Sequence, residues 1–316
     1  MMIEPLFFTP VFQDRVWGGQ KLRTDFHYNI ESNSVGECWA ISAHPNGQSV
    51  VSNGIHKGKA LGELWKTNRE LFGGIEGEKF PLLVKILDAN HDLSVQVHPN
   101  DAYASSHANG ELGKTECWYI IDCDEKAELV FGHHAQSKEE LVSMIDQENW
   151  NQFLQRIPIT KGDFFYVPSG TVHALCKGTV VLETQQNSDT TYRLYDYNRI
   201  NNDGRKRELH LKQSKDVITI PHQSYQVEAE ITEGKNYTVT TFVRSPYFTV
   251  EKWEISGHAS FKHIYPFLLC SVIEGNGLLK FNNQSFHLQK GDHFLLPAAT
   301  DTFQLDGWIN LIVSYL

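Results

Sequence analysis

Apolar residues along this chain recur at every second position or in short unbroken runs, which is the spacing of strands. Residues 80–89 form an apolar run, and residues 93–98 alternate. Strand character continues through 117–121, 127–131, 164–167, 179–183 and 190–197. The last third repeats the style at 237–243, 248–255, 267–273, 277–281, 293–296 and 309–315. Short strands punctuated by Gly, Asn and Pro predict an all-β barrel or sandwich. Helical spacing is scarce. Ser137 with Glu140 three positions later is a capping box, and Leu141, Met144 and Ile145 then share a helical face. Trp150, Phe153 and Leu154 continue this as a second short helix, giving a helical insert near 137–156. Residues 61–72 are a further helix candidate.

One segment echoes another. Lys161-Gly162-Asp163-Phe164-Phe165-Tyr166-Val167-Pro168 resembles Lys290-Gly291-Asp292-His293-Phe294-Leu295-Leu296-Pro297. In each, Gly-Asp makes a turn and the following strand ends at proline. Both copies lie beyond a strand-rich segment, so the echo implies two related β units. The polar stretch 221–233 separates them, which divides the chain into 1–226 and 227–316.

Composition narrows the function classes. The formal net charge of −10 disfavours a nucleic-acid binder, which needs a basic face to neutralise phosphates. A locally basic pocket for a small anion stays compatible with it. Apolar runs such as 311–313 are far too short to span a bilayer, so no membrane partner is expected. The first residues, Met1 to Pro5, lack the basic and apolar regions of a signal peptide. The five cysteines include no Cys-x-x-Cys pair, which fits reduced thiols in a cytoplasmic protein.

The candidate chemistry begins at Gln96-Val97-His98. Positions i and i+2 of a strand face the same way, so Gln96 and His98 point together while Val95 and Val97 point oppositely. Lys114-Thr115-Glu116 repeats the device. A turn, Pro168-Ser169-Gly170-Thr171-Val172-His173, delivers His173. Two imidazoles, one carboxylate and one carboxamide oxygen can make a metal site. No Gln-x-His precedes the echo in the second unit, where Thr302 stands at the position of His173. That unit is expected to be structural or a wall of the cleft.

These segments, with Trp17-Gly18-Gly19, Gly36-Glu37-Cys38-Trp39, Gln186 to Arg193 and Arg207-Glu208-Leu209-His210, resemble the cupin superfamily. More closely they resemble type I mannose-6-phosphate isomerases in their short bacterial form. The resemblance is strong over the first two-thirds and weaker beyond. It implies a mainly β fold of two cupin-type jelly-roll β-barrels with a few short helices, the first of them catalytic. It implies one Zn²⁺ per chain on Gln96, His98, Glu116 and His173. It also implies an aldose–ketose isomerase that interconverts D-mannose 6-phosphate and D-fructose 6-phosphate through a cis-enediol.

Such a reaction needs a base, a proton route between two oxygens and cations for a phosphate dianion. The family pattern places Arg193 and Glu183 in the site, Arg193 as catalytic and substrate-binding cation and Glu183 as candidate base or as a group orienting Arg193. Lys114 shares the face of Glu116 and is a candidate for proton transfer, with a pKa lowered by the metal, or for phosphate binding. Asp189 is a further candidate. Arg199, Arg205, Lys206 and Arg207 form a basic cluster around the loop 201–204, where Arg205 and Lys206 read as solvated. His133 and His134 receive no role. Two other classes fit part of this set. A non-haem iron oxygenase would use two His and one Glu, but Gln96 takes a position that oxygen chemistry leaves open. A non-catalytic bicupin would bind a sugar phosphate without turnover. The expected partner is a small phosphosugar, and the oligomeric state is left open.

Overall fold

The computed structural model describes residues 4–200, 204–298 and 301–316. Part of the signal-peptide reading, at residues 1–3, and the loop residues 201–203 lie outside these. The chain is mainly β, with short helices at its margins. A six-stranded sheet runs, in spatial order, through Phe164–Val167, Glu116–Cys123, Thr179–Gln186, Leu82–Ala89, Val11–Gly19 and Val35–Ile41. A five-stranded sheet faces it, in the order Leu154–Pro158, Glu128–His133, His173–Leu175, Val95–Val97 and Tyr192–Tyr195. Both sheets remain open in their hydrogen bonding.

Strand alternation sorts the side chains into layers. Leu82, Val84, Ile86, Cys117, Tyr119, Val180 and Leu182 face away from the site and join one apolar cluster with Leu269, Ile273, Leu295 and Ile312 of the C-terminal sheet. Leu87, Trp118, Ile120 and Val181 face inward, toward Leu129, Phe131 and Leu175 of the five-stranded sheet. The outer face of that sheet, with Val95, Val97, Val130, Tyr192 and Leu194, is covered by Leu141, Ile145 and Phe153. Ser137 caps the helix as expected, its Oγ accepting from Glu140 N at 3.1 Å, but Glu140 Oε2 reaches past the cap residue to accept from Gln136 N at 2.8 Å. The second helix of the insert stops at Phe153, because Leu154 starts a strand paired with Glu128–His133.

The C-terminal sheet is built on three long strands, Thr249–Lys262, Phe267–Phe281 and Thr302–Tyr315. The pattern predicts two strands at 267–273 and 277–281, but one strand runs through both, with a bulge at Ile273 that absorbs the apparent break. These strands fold back on themselves. The Trp253 and Phe261 rings stack with centroids 4.4 Å apart, whereas an extended strand would separate them by about 26 Å. Gly257, Gly307 and Gly277 stand in register across the three strands at this bend. Gly257 and Gly307 have φ of 127° and 123°, values that a side chain would resist.

The echo is a structural repeat. Asp163 Oδ2 accepts from Thr160 N at 2.8 Å, and Asp292 Oδ2 accepts from Gln289 N at 2.8 Å. Gly162 N donates to Ile120 O, and Gly291 N donates to Val272 O, both at 2.9 Å. The bulge at Ile273 also has its counterpart at Ile121. This register equates Glu116 with Leu268 and Glu183 with Val313, and both of those hydrophobes are buried in the apolar cluster of the second unit.

One connection departs from the linear order. Leu6–Thr9 pairs antiparallel with His293–Pro297 and with Val50–Val51, so the first strand completes the C-terminal sheet. The units also share a ring cluster. Phe267 lies 5.5 Å from Phe80 and 6.0 Å from Phe72, which both pack on Trp65. His293 adds a polar staple: its Nε2–H donates to Tyr28 Oη at 2.7 Å, and Tyr28 in turn donates to Gly291 O at 2.9 Å. Ser271 Oγ donates to His293 Nδ1 at 2.8 Å.

Replacing Phe267 by Ala should cost about 3–5 kcal/mol, because rings of both units lose their contact. Urea unfolding measures this, and a loss below about 1 kcal/mol would show that the cluster does not join the units. Burial pushes His293 down to about 3. The unfolded chain takes up this proton near pH 6.5 and the folded chain does not, so stability is full above pH 6.5 and falls as pH drops toward 3. In His293→Gln the slope of unfolding free energy against pH should be shallower by about one proton in that window; an unchanged slope would reject the assignment.

Candidate metal centre and active site

Strand register brings the predicted ligands together. On the five-stranded sheet, Arg193 pairs with Gln96, and Gln96 pairs with His173. On the facing sheet, Trp39, Lys85, Glu183, Trp118 and Phe165 make a row across five strands. The strand at Gln96 is shorter than expected, Val95–Val97, so His98 sits just past its end. Lys114 likewise precedes the strand that starts at Glu116; the loop before that strand, anchored by Lys114 N to Pro99 O at 2.9 Å, sets its position in place of strand alternation. Gly170 N donates to His98 O at 2.9 Å and Ser169 N donates to Thr115 Oγ1 at 3.3 Å, tying the three ligand-bearing segments to one another.

His98, Glu116 and His173 are buried, and one ligand atom from each lies within 4.8 Å of the others. His98 Nε2 is 3.4 Å from Glu116 Oε2, and His173 Nε2 is 3.3 Å from Glu116 Oε1. A tetrahedral ion with bonds of about 2.1 Å sets its ligand atoms about 3.4 Å apart, and each imidazole stands at about that distance from one of the two Glu116 oxygens. His98 Nδ1–H donates to Thr190 O at 2.8 Å, and His173 Nδ1–H donates to Thr171 O at 2.9 Å. These bonds fix the tautomers and leave both Nε2 lone pairs toward the centre. Burial holds both rings neutral, taking His173 down to about 4. Neither oxygen of Glu116 has a well-aligned hydrogen-bond donor. Carboxylate oxygens without a well-aligned donor, set between two imidazole Nε2 atoms, fit a divalent cation. The Gln96 carboxamide lies 3.2 Å from His173 Nε2 and, turned about its last torsion, presents its oxygen there.

Beside this set is a cavity of about 410 Å³ lined by Gln96, Lys114, Glu183, Asp189 and Arg193. Lys114 Nζ is 2.7 Å from Glu116 Oε2 and 3.1 Å from His98 Nε2. Burial opposes its charged form, but without a metal Glu116 and Glu183 outweigh this and raise its pKa. Burial pushes the Glu116 carboxyl up to about 7 despite the pull of Lys114. Glu183 goes the other way: burial favours its neutral form, yet Lys114 and Lys85 hold it charged. Its partners are Lys85 at 3.5 Å and Trp118 Nε1 at 3.1 Å, so it does not orient Arg193. Asp189 accepts from Asn46 Nδ2 at 2.9 Å at the cavity wall. Arg205 and Lys206 are exposed, whereas Arg207 lines the cavity. His133 Nε2–H donates to Thr219 O at 2.9 Å, away from these residues.

Three lining residues were not singled out from the sequence. Lys85 is buried between Glu183 and Glu37, with Nζ 4.9 Å from the centre of the Trp39 ring. Glu37 accepts from Arg15 Nε at 2.7 Å and from Trp39 Nε1 at 2.6 Å. The signal for Lys85 was its place inside an apolar run, where a charge must find a buried partner.

Known proteins match this chain along its length. The family model for the catalytic domain of type I phosphomannose isomerase matches residues 6–141, and that for the mannose-6-phosphate isomerase cupin domain matches 238–316. The mannose-6-phosphate isomerase ManA of Bacillus subtilis is 56% identical over 316 residues, covering 100% of both chains. The chain belongs to the mannose-6-phosphate isomerase family. The mannose-6-phosphate isomerase of Streptococcus mutans is 52% identical over 99% of each chain. A crystal structure of the Bacillus subtilis mannose 6-phosphate isomerase superposes with a TM-score of 0.97 at 55% identity, over 99% of each chain. The fold is therefore that of this isomerase family.

If His98, Glu116 and His173 hold the ion, His173→Ala should lower metal affinity by more than the about 10–100-fold that follows loss of an outer hydrogen-bond partner. Elemental analysis of the purified variant checks this, and full metal content would reject the ligand set.

Proposed function

We propose that this chain is a zinc-dependent aldose–ketose isomerase that interconverts D-mannose 6-phosphate and D-fructose 6-phosphate. The observation that carries the reading is the buried His98–Glu116–His173 set opening, through Gln96 and Lys114, onto a cavity with fixed cations. Residues 1–226 form the catalytic unit and 227–316 the supporting one. The five free cysteines fit a reducing cytoplasm.

Gln96, His98, Glu116 and His173 would hold the zinc ion, which when bound would supply Lewis acidity to the sugar oxygens. With one carboxylate among neutral ligands the ion keeps a net charge of about +1. Glu183, held charged, is the base: it takes the proton from C2 of the open-chain aldose and returns it to C1. Lys114, which lines the cavity beside Glu116, donates a proton to the C1 oxygen and recovers one from the C2 hydroxyl. The species between is the cis-enediol, and no proton is gained or lost overall. Arg193 faces the same cavity and contributes a fixed cation to the bound substrate.

Turnover of mannose 6-phosphate, coupled to glucose-6-phosphate formation, tests the reading. Chelation should lower the rate at least about 100-fold, and added zinc should restore it. Full turnover by metal-free protein would overturn the metal's role, and no turnover by zinc-loaded protein would overturn the reaction.

A further inference from the structure

Positive charge is unevenly spent in the cavity. Arg15 is paired with Glu37, Lys85 with Glu183 and Lys114 with Glu116. At the other end stand Arg193 and Arg207, both lining the cavity. Arg193 donates through Nη1 to Glu208 O at 2.8 Å, and its Nε is buried without a partner. Arg207 donates through Nε and Nη2 to the two oxygens of Asp196, at 2.7 and 2.5 Å. Asp196 is itself buried, 4% exposed, and lies just after the strand that carries Arg193. Arg199 grips the same carboxylate through Nε at 3.1 Å and is tied back to Asp92 O.

Two guanidiniums, those of Arg207 and Arg199, therefore share one buried carboxylate, and the charge of Arg193 stands close to all three groups. Burial first, and then Arg207 and Arg199, work against the charge on Arg193. Glu208 is exposed and offers Arg193 its backbone carbonyl. Two like charges fixed at a cavity wall, one with an unpartnered N–H, are an anion receptor awaiting an anion of two charges. Fixing matters because a loose arginine would turn away from its neighbour. The bidentate grip of Asp196 prevents that and leaves the far edge of Arg207 open.

We propose that Asp196 is a positioning residue for the phosphate site: it clamps Arg207 beside Arg193, and these two arginines together receive the phosphate of the substrate. Asp196 does not touch the substrate, since both of its oxygens are taken by arginine. The proposal rests on the isomerase reading and extends it to the end of the sugar remote from the chemistry.

The test is kinetic, on the zinc-loaded protein. Asp196→Asn keeps the size and removes the charge. It should raise KM for mannose 6-phosphate about 10–100-fold, the worth of a charged hydrogen bond, while kcat changes less than about threefold. The inhibition constant of inorganic phosphate should rise in parallel. Arg207→Gln should do the same, and Arg207→Lys should not rescue, because lysine cannot make the bidentate grip. Should Asp196→Asn fail to fold, Asp196→Glu, which keeps both oxygens, should retain most of the affinity. Unchanged KM and phosphate inhibition in Arg207→Gln would overturn the proposal, as would a fall in kcat alone. If the wild type does not isomerise mannose 6-phosphate, the isomerase reading fails. Calorimetric titration of wild type and Arg207→Gln with inorganic phosphate then still decides the receptor: tighter binding to wild type supports it, and equal binding overturns it.

Discussion

Lys85, Lys114, Glu116 and Glu183 are four ionisable groups held between two sheets, at 4%, 4%, 0% and 3% exposure. Taking any one of them out of water alone would cost several kcal/mol, comparable to the whole stability of a domain. They are tolerable together because register sets cations against anions, Lys85 beside Glu183 and Lys114 beside Glu116. The rest of the site follows from that balance. Imidazoles kept neutral by burial can ligate, a carboxylate without good donors seeks a cation, and the excess positive charge is left at the Arg193–Arg207 end.

The second unit shows what the same framework does without this burden. Its turn, its bulge and its strand register copy the first. At the positions of Glu116 and Glu183 it carries Leu268 and Val313, and its interior fills with apolar side chains. Lys85 is matched by Glu251, whose oxygens accept from Tyr315 Oη at 2.8 Å and Trp253 Nε1 at 2.7 Å. One framework thus supports either a reactive interior or an inert one, depending on a few inward-facing positions.

Much of this was legible in the chain. Period-two spacing located most strands, and the i, i+2 relation put Gln96 and His98 together before any coordinates. The Gly-Asp echo was legible because a turn has strict local chemistry. What escaped was set by distant partners. Nothing local to Leu6–Thr9 says that it joins a sheet formed by the last strands. The break at Ile273 looks like two strands because a bulge interrupts alternation without ending pairing. Lys114 sits in a loop, so alternation could not place it, and the carboxylate of Glu183 that also acts on it comes from another strand. Asp196 was invisible as a clamp because the side chains it holds come from a loop with no periodicity.

The crossing of the first strand has a consequence for biosynthesis. Leu6 meets Leu295 and Phe7 meets Phe294, partners that leave the ribosome near the end of translation. At elongation rates of about 5–20 residues per second, the N-terminal segment waits on the order of tens of seconds for its edge to be covered. Until then its apolar side chains and unpaired backbone are open to other chains. A nascent chain of this design depends on delayed closure from its own tail, which places its greatest exposure to misassembly, and its need for chaperone shielding, before the last strand emerges.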